Sequence, residues 1–176
     1  FGLAPRALAC DHHPDYASTR EAQPLPARSG LPLLQVQHHW AHMAACMADN
    51  QLEGPAFGIV WDGTGLGDDG GIWGGEFLRG GYSAFVRVGS IRPIPLPGGD
   101  AAVRQIGRTG LALAWDAGVP PEALARLPLM RALPGARTIA AMLEKDIACP
   151  KASSIGRLFD GVYALISGRG CPDRPG

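Results

Sequence analysis

The chain has 176 residues, is 46% hydrophobic, and carries 16 Lys plus Arg against 16 Asp plus Glu. That length and apolar content fit one folded domain with its own core and argue against disorder throughout, and the even charge leaves no net field to gather nucleic acid or an anionic membrane. The longest apolar stretches, such as Leu31 to Val36 and Ala56 to Trp61, are far too short to span a bilayer, and the N-terminus has no basic region leading into an apolar one. A cytoplasmic protein with neither a membrane nor a nucleic-acid partner is the expectation.

Cys10, Cys46, Cys149 and Cys171 form no C-x-x-C pair, which predicts free thiols rather than a zinc ribbon or a disulfide framework. The 25 Gly and 16 Pro gather in Gly63 to Gly75 and Pro93 to Gly99, which predicts that loops carry much of the chain. The opening at Phe1 without a start Met and the Pro- and Gly-rich close from Gly170 to Gly176 predict a fragment of something longer.

In chain order, Ala7 to Cys10 reads as a strand that stops in a loop at Asp11-His12-His13-Pro14, and Leu31 to Gln37 as a second buried strand. His38 to Ala48 holds good helix formers with no Gly or Pro and ends at Asp49-Asn50, so it predicts a helix. Ala56 to Trp61 and Gly71 to Leu78 read as a hairpin around a glycine loop, and Tyr82 to Ile91 as a third strand of that group. Beyond the Pro-rich loop the period turns helical, with helices expected at Ala101 to Ala117, Pro121 to Arg126, Arg137 to Leu143 and Ser154 to Ser167. Strands are thus expected before helices, without repeats.

Two constellations carry chemistry. His38 and His42, four apart on the expected helix, stand about 40° from each other around its axis, so both imidazoles can face one divalent cation. An isolated H-x-x-x-H pair also arises by chance. His39, about 100° off that face, reads as a packing or loop-orienting residue, and His12-His13 before Pro14 as a hydrogen-bonded loop. In Asp62-Gly63-Thr64-Gly65-Leu66-Gly67 an acidic residue ends a strand and glycines let backbone N–H groups approach an anion, with the Thr64 hydroxyl as a further donor. The pattern suits phosphate between two strands and is neither the Walker nor the dinucleotide fingerprint; a tight hairpin is the plainer alternative. Asp62 either completes the shell begun by His38 and His42 or holds metal-bound water. Ser153 to Asp160 opens a helix with cap-type serines, and Asp160 there is either a ribose-binding group or an ion-pair partner of Arg157.

These words resemble one family. Val36-Gln37-His38-His39-Trp40-Ala41-His42 looks like the V-Q-H-H-H-A-H of HypF proteins, and Phe57 to Gly67 resembles their F-D-G-T-G-x-G. Asp11 to Thr19 resembles D-x-H-P-D-Y-x-S-T, and Trp73 to Phe77, Arg92 to Arg104 and Ser153 to Asp160 resemble further signatures in the same order, covering nearly the whole chain. The resemblance implies a TsaD-like carbamoyl-transfer domain of α/β class with the actin-like ATPase (ASKHA, ribonuclease H-like) fold, a mixed sheet flanked by helices, present here in part. It implies a carbamoyltransferase that receives a carbamoyl adenylate, made from carbamoyl phosphate and ATP in upstream acylphosphatase, zinc-finger and adenylate-forming domains. The acceptor it implies is the C-terminal cysteine of HypE, on the way to the cyanide ligands of the nickel-iron hydrogenase.

Residue by residue, the resemblance makes His38 and His42 ligands of iron or zinc and puts Asp62 on or beside the metal. It gives phosphate to Gly63, Thr64, Gly65 and Gly67, and the ribose to Asp160, with a further aspartate ligand in a downstream half. Trp40 replaces a common third histidine, and Arg104-Gln105-Ile106-Gly107-Arg108 departs from R-E-P-W-R. Alternatives of other classes are an O-carbamoyl or tRNA threonylcarbamoyl transferase and an inactive HypE-docking remnant, and the chain alone is expected to bind metal weakly and to transfer nothing.

Overall fold

In a computed structural model that describes residues 4–170, the chain builds two sheets and a helical layer around three apolar clusters. Cys171 and the Pro- and Gly-rich close beyond it lie outside the described residues, as do residues 1–3. No helix among the described residues is long and apolar enough to cross a membrane. Cys10, Cys46 and Cys149 are free thiols, as expected.

The first sheet is small. Strand β1 (Leu8–Asp11) pairs in parallel with β2 (Leu33–Val36), and the register sets Asp11 opposite Val36. The crossover runs through α1 (Ala17–Ala22) and α2 (Leu25–Ser29), two short helices that sequence reasoning passed over because Pro24 and Pro26 break any helical period there. Helix α3 (His38–Asp49) leaves β2 after a single residue, Gln37, whose side chain caps it by accepting from the Trp40 N–H at 2.8 Å. Its Met43 and Met47 pack on Val60, Trp73 and Leu78 of the second sheet. Each such buried side chain stabilises by roughly 2 kcal/mol.

The second sheet is built on β3 (Ala56–Leu66) and β4 (Ile72–Gly80), paired antiparallel, with β5 (Phe85–Ser90) on the far edge of β4. The period of 2 in β3 turns Val60 inward and leaves Phe57, Ile59 and Trp61 on the outer face. Here the expected glycine loop is corrected. Residues 62–66 continue the strand, the true turn is confined to residues 67–71, and Ile72 to Gly75 belong to β4. The signal that misled is the glycine content, which here serves a β-bulge: Asp62, Gly63 and Thr64 of β3 stand against the single Gly74 of β4.

The expected order of strands before helices is also corrected. The Pro-rich stretch contains β6 (Ile94–Pro95), and β7 (Lys151–Ala152), late in the chain, inserts between β6 and β4. Two-residue strands carry too little periodicity to be read from sequence. The single helix expected over Ala101 to Ala117 is broken at Gln105 (φ −120°, ψ 83°) into α4 (Asp100–Arg104) and α5 (Ile106–Asp116). At that break Arg108 donates to the Gln105 side chain at 2.7 Å and to the Pro97 carbonyl at 3.3 Å.

The rest is helical: α6 (Pro121–Leu124), α7 (Pro128–Ala132), α8 (Ala136–Glu144) and α9 (Ile155–Ser167). Helix α5 is the centre of the largest cluster, Leu111 and Ala112 meeting Leu129, Ile139 and Ala164. Helix α9 starts at the cap Ser154, whose hydroxyl accepts from the Arg157 N–H, and stops at Gly168 in the left-handed conformation (φ 69°). Its first turn lies on the bulge, where a Cβ on Gly156 would come within 3.1 Å of the Gly63 Cα.

Candidate metal centre and adjoining cavity

Three elements meet where β1, α3 and the bulge of β3 end together. The parallel register of β1 and β2 delivers Asp11 beside the first turn of α3, and the bulge turns the Asp62 carboxylate toward the same point. His38 Nδ1 lies 2.7 Å from Asp11 Oδ2, His38 Nε2 3.0 Å from Asp62 Oδ2, and His42 Nε2 3.3 Å from His38 Nε2. One ligand atom from each of His38, His42 and Asp62 falls within 4.8 Å of the others. Two imidazoles and one carboxylate on adjacent positions form a donor set suited to iron or zinc.

The surroundings fit that use. Because Asp11 accepts from His38 Nδ1–H, the Nε2 lone pair of His38 is directed into the cluster, where it faces the Asp62 carboxylate and His42. Lone pairs so placed repel one another unless a shared proton or cation lies between them. The other oxygen of Asp62 accepts from the Gly63 N–H at 2.6 Å, which leaves Oδ2 for the cluster. Burial alone would raise the Asp11 carboxyl, yet the His13 N–H and the His38 ring hold it below the ordinary carboxylate value. Gly65 is required sterically, since a Cβ there would stand 2.7 Å from a His39 ring atom and 2.8 Å from one of His38.

The other histidines are placed elsewhere. His12 Nε2 lies 3.1 Å from the Gln35 carbonyl, and His13 accepts from the Asp15 N–H and stacks on Tyr16 with centroids 4.4 Å apart. Trp40, where the resemblance leads one to expect a third histidine, turns away to donate to the Gly81 carbonyl at 2.8 Å and stacks on Phe85. His39 is fully buried beneath the cluster, where it packs, and its ring is not among the convergent ligands.

Burial strips water from the His39 imidazolium and the neighbouring His38 disfavours it further, so its pKa falls from 6.5 to about 4 despite Asp62 and Glu76 nearby. The folded chain therefore refuses a proton that the unfolded chain accepts below its ordinary value. In that window the unfolded state binds more protons, so stability falls as pH falls. At about 1.4 kcal/mol per pH unit, the wild type should lose about 3 kcal/mol between pH of about 7 and about 4. A His39→Gln variant lacks that contribution, and urea unfolding of both chains at the two pH values reads the difference.

Beside the cluster opens a cavity of about 320 Å³ that shares Gly65 with it and is also lined by Tyr16, Thr64, Gly71 and Asp100. The Tyr16 ring lies edge-on to His38 at 6.3 Å. Burial, with Asp11 and Asp62 adding to it, raises the Tyr16 hydroxyl, which stays protonated as a donor. Of the residues expected to hold phosphate, Thr64 and Gly65 line the cavity and Gly63 and Gly67 do not. The Gly63 amide is taken by Asp62 and the Gly67 amide by the Gly71 carbonyl at 2.9 Å, so neither N–H is free for an anion.

Asp160 sits on α9 in an ion pair with Arg157 at 3.0 Å and is not among the lining residues. Burial raises its carboxyl, against the lowering by Arg157. Two important residues escaped sequence reasoning. Asp11 was legible as the start of a loop and of a family signature but not as a partner of His38, and Glu76 sits in a strand with nothing in the local pattern to say that it is wholly buried.

Comparison with known proteins agrees with this architecture. The family model for the second subdomain of the carbamoyltransferase Kae1-like domain matches residues 58–171, and that for the HypF Kae1-like domain matches residues 1–49. The chain is 42% identical to carbamoyltransferase HypF2 of Cupriavidus necator over 95% of its own length and 20% of that protein's. Against a HypF homologue of the same organism it is 45% identical over 92% of this chain and 41% of the relative. HypF of Rhizobium leguminosarum bv. viciae is 40% identical over 99% of this chain and 22% of the relative.

Among solved structures, full-length HypF in a phosphate- and nucleotide-bound form superposes with a TM-score of 0.81 at 35% identity, covering 97% of this chain and 26% of that one. HypF of T. kodakarensis gives 0.80 at 32% identity, covering 97% and 23%. The chain thus spans between a fifth and about two-fifths of the length of the curated relatives just described. A mixed sheet with flanking helices, the ordered signatures and both family models lead to one conclusion: the chain belongs to the HypF carbamoyltransferase family.

Proposed function

We propose that this chain contributes the metal- and substrate-holding part of a carbamoyl-transfer centre with the TsaD-like, actin-like ATPase fold. The observation that carries the reading is the convergence of His38, His42 and Asp62 within 4.8 Å beside a cavity of about 320 Å³. In this reading the donor is a carbamoyl adenylate, made from carbamoyl phosphate and ATP in other domains of a longer protein. The acceptor is the C-terminal cysteine of HypE, and the thiocarbamate serves the cyanide ligands of the nickel-iron hydrogenase. The relatives reported above are HypF carbamoyltransferases, which favours this acceptor over a tRNA or a small hydroxyl compound.

The residues divide the work by geometry. His38, His42 and Asp62 would hold iron or zinc, with Asp11 fixing the His38 ring so that Nε2 points inward. A cation bound there supplies Lewis acidity to the carbamoyl oxygen. Thr64 offers its hydroxyl and Gly65 a wall without a side chain to the departing phosphate, and the stacked Tyr16 and His13 line the same cavity. Asp160, drawn off by Arg157, would reach a ribose only after that pair opens. The HypE thiol first gives its proton to solvent; the resulting thiolate attacks the carbamoyl carbon, a C–S bond forms, the C–O bond to the adenylate phosphate breaks, and AMP leaves with the electron pair. No nucleophile is needed from this chain.

The test uses the full-length parent protein with carbamoyl phosphate, ATP and HypE. Mass spectrometry should find one carbamoyl group on the HypE terminal cysteine, and none when the parent carries His38→Ala with His42→Ala. Carbamoylation by that double variant at the wild-type rate would sink the reading.

A further inference from the structure

Directly under the three convergent ligands lies a polar pair that none of the roles above uses. Gln37, the N-cap of the helix that carries His38 and His42, is 1% exposed, and His39 in its first turn is fully buried. A buried polar side chain at such depth costs stability unless its donors and acceptors are matched, so the hydrogen-bond pattern can be solved for the positions of the protons.

The solution is unique. The Trp40 N–H is a donor and lies 2.8 Å from one end of the Gln37 amide, so that end is the oxygen. The Leu66 carbonyl is an acceptor and lies 3.0 Å from the other end, so that end is the NH2 group. The same NH2 group lies 3.2 Å from His39 Nδ1, which must therefore present a lone pair. A ring whose Nδ1 accepts carries its one proton on Nε2. His39 Nε2 has no hydrogen-bond partner although it is shielded from solvent, and the nearest carboxylate oxygen, Asp62 Oδ2, lies 3.9 Å away, just beyond hydrogen-bond reach.

An unmatched N–H 3.9 Å from an oxygen of one ligand of a candidate metal centre is a donor that a small movement of that ligand would satisfy. We propose that His39, locked by Gln37 as its Nε2–H tautomer, is a positioning residue that donates to the Asp62 carboxylate and fixes its orientation on the cation. The inference rests on the metal reading of His38, His42 and Asp62. It explains why Gly65 leaves its Cβ position open: the space is filled by the rings of His39 and His38, which fixes the His39 ring against the strand that carries Asp62. It also assigns the motif Gln37-His38-His39 a division in which alternate residues hold and are held.

Gln37→Glu tests it with almost no change of shape. A carboxylate facing His39 Nδ1 draws the proton to that nitrogen, strips it from Nε2, and turns a lone pair toward Asp62. His39→Gln, in contrast, keeps an N–H at the depth of Nε2, and His39→Leu removes it. Zinc affinity of the 176-residue chain, read by competition with a chromophoric chelator, should fall on the order of 10- to 100-fold in Gln37→Glu and His39→Leu and stay within about threefold in His39→Gln. Two-bond proton–nitrogen spectra of the histidine rings, which do not depend on metal, should show His39 as the Nε2–H tautomer in the wild type and Nδ1–H in Gln37→Glu. Wild-type zinc affinity in both Gln37→Glu and His39→Leu, or an Nδ1–H tautomer in the wild type, overturns this inference alone. A wild-type chain that binds zinc no better than its His38→Ala, His42→Ala variant overturns the metal reading beneath it as well.

Discussion

Replacing His38 and His42 together by alanine should cost the full-length parent protein about one bound metal ion, over and above any held by zinc fingers elsewhere in it, because this chain then keeps a single carboxylate of its three convergent donors. A single carboxylate in water holds a divalent cation weakly, whereas imidazole nitrogens one helical turn apart and pre-oriented by Asp11 add affinity without further ordering of the chain. The control is His12→Ala with His13→Ala. These rings are engaged with the Gln35 carbonyl, the Asp15 N–H and Tyr16, so their loss should leave the metal content unchanged. Elemental analysis of the purified proteins decides the matter, and unchanged metal in the first variant would remove the ligand assignment.

The spacing of His38 and His42 made that part of the site legible, because a helix free of Gly and Pro converts a four-residue interval into a shared face whatever the rest of the fold does. Asp62 was legible as the polar end of an apolar run. What brings it to the histidines was not, since the bulge depends on how Gly74 of the partner strand aligns with three residues of β3. Asp11 illustrates the same limit. Its approach to His38 follows from the parallel pairing of β1 with β2 across a crossover of two short helices, a contact between residues 27 apart that no local pattern encodes.

The glycines misled for a physical reason. Their spacing is equally compatible with an anion cradle and with a strand that must pass close to aromatic rings, and here Gly65 and Gly67 lie against His38, His39 and Trp73. The helices were read well where periodicity ran long, as in α3 and α9. They were misread where side-chain hydrogen bonds decide the outcome, as at the break beside Gln105.

Glu76→Ala should be the most damaging single substitution for stability. Its carboxylate is wholly buried and accepts from Arg87 Nε at 2.6 Å, from the Gly74 and Gly75 amides at 3.1 and 3.2 Å, and from the Ser153 hydroxyl. These contacts tie β4 to β5 through Arg87 and to the end of β7 through Ser153, so one side chain fixes three strands. Arg87 lies over the Trp73 ring at 4.4 Å and keeps Asp69 at 3.2 Å as a second partner, which limits but does not remove the cost of stranding its charge. Breaking a buried pair and orphaning two amides typically costs about 3 to 5 kcal/mol. For a chain of this length that corresponds to a fall in Tm on the order of 10 °C. Glu76→Gln, which keeps an acceptor but loses the charge, should lie between the two, and thermal unfolding of all three proteins orders them. Because Gly74 borders the Asp62 bulge, the same loss should loosen the candidate metal centre, and zinc affinity should fall in Glu76→Ala even at temperatures where the chain remains folded.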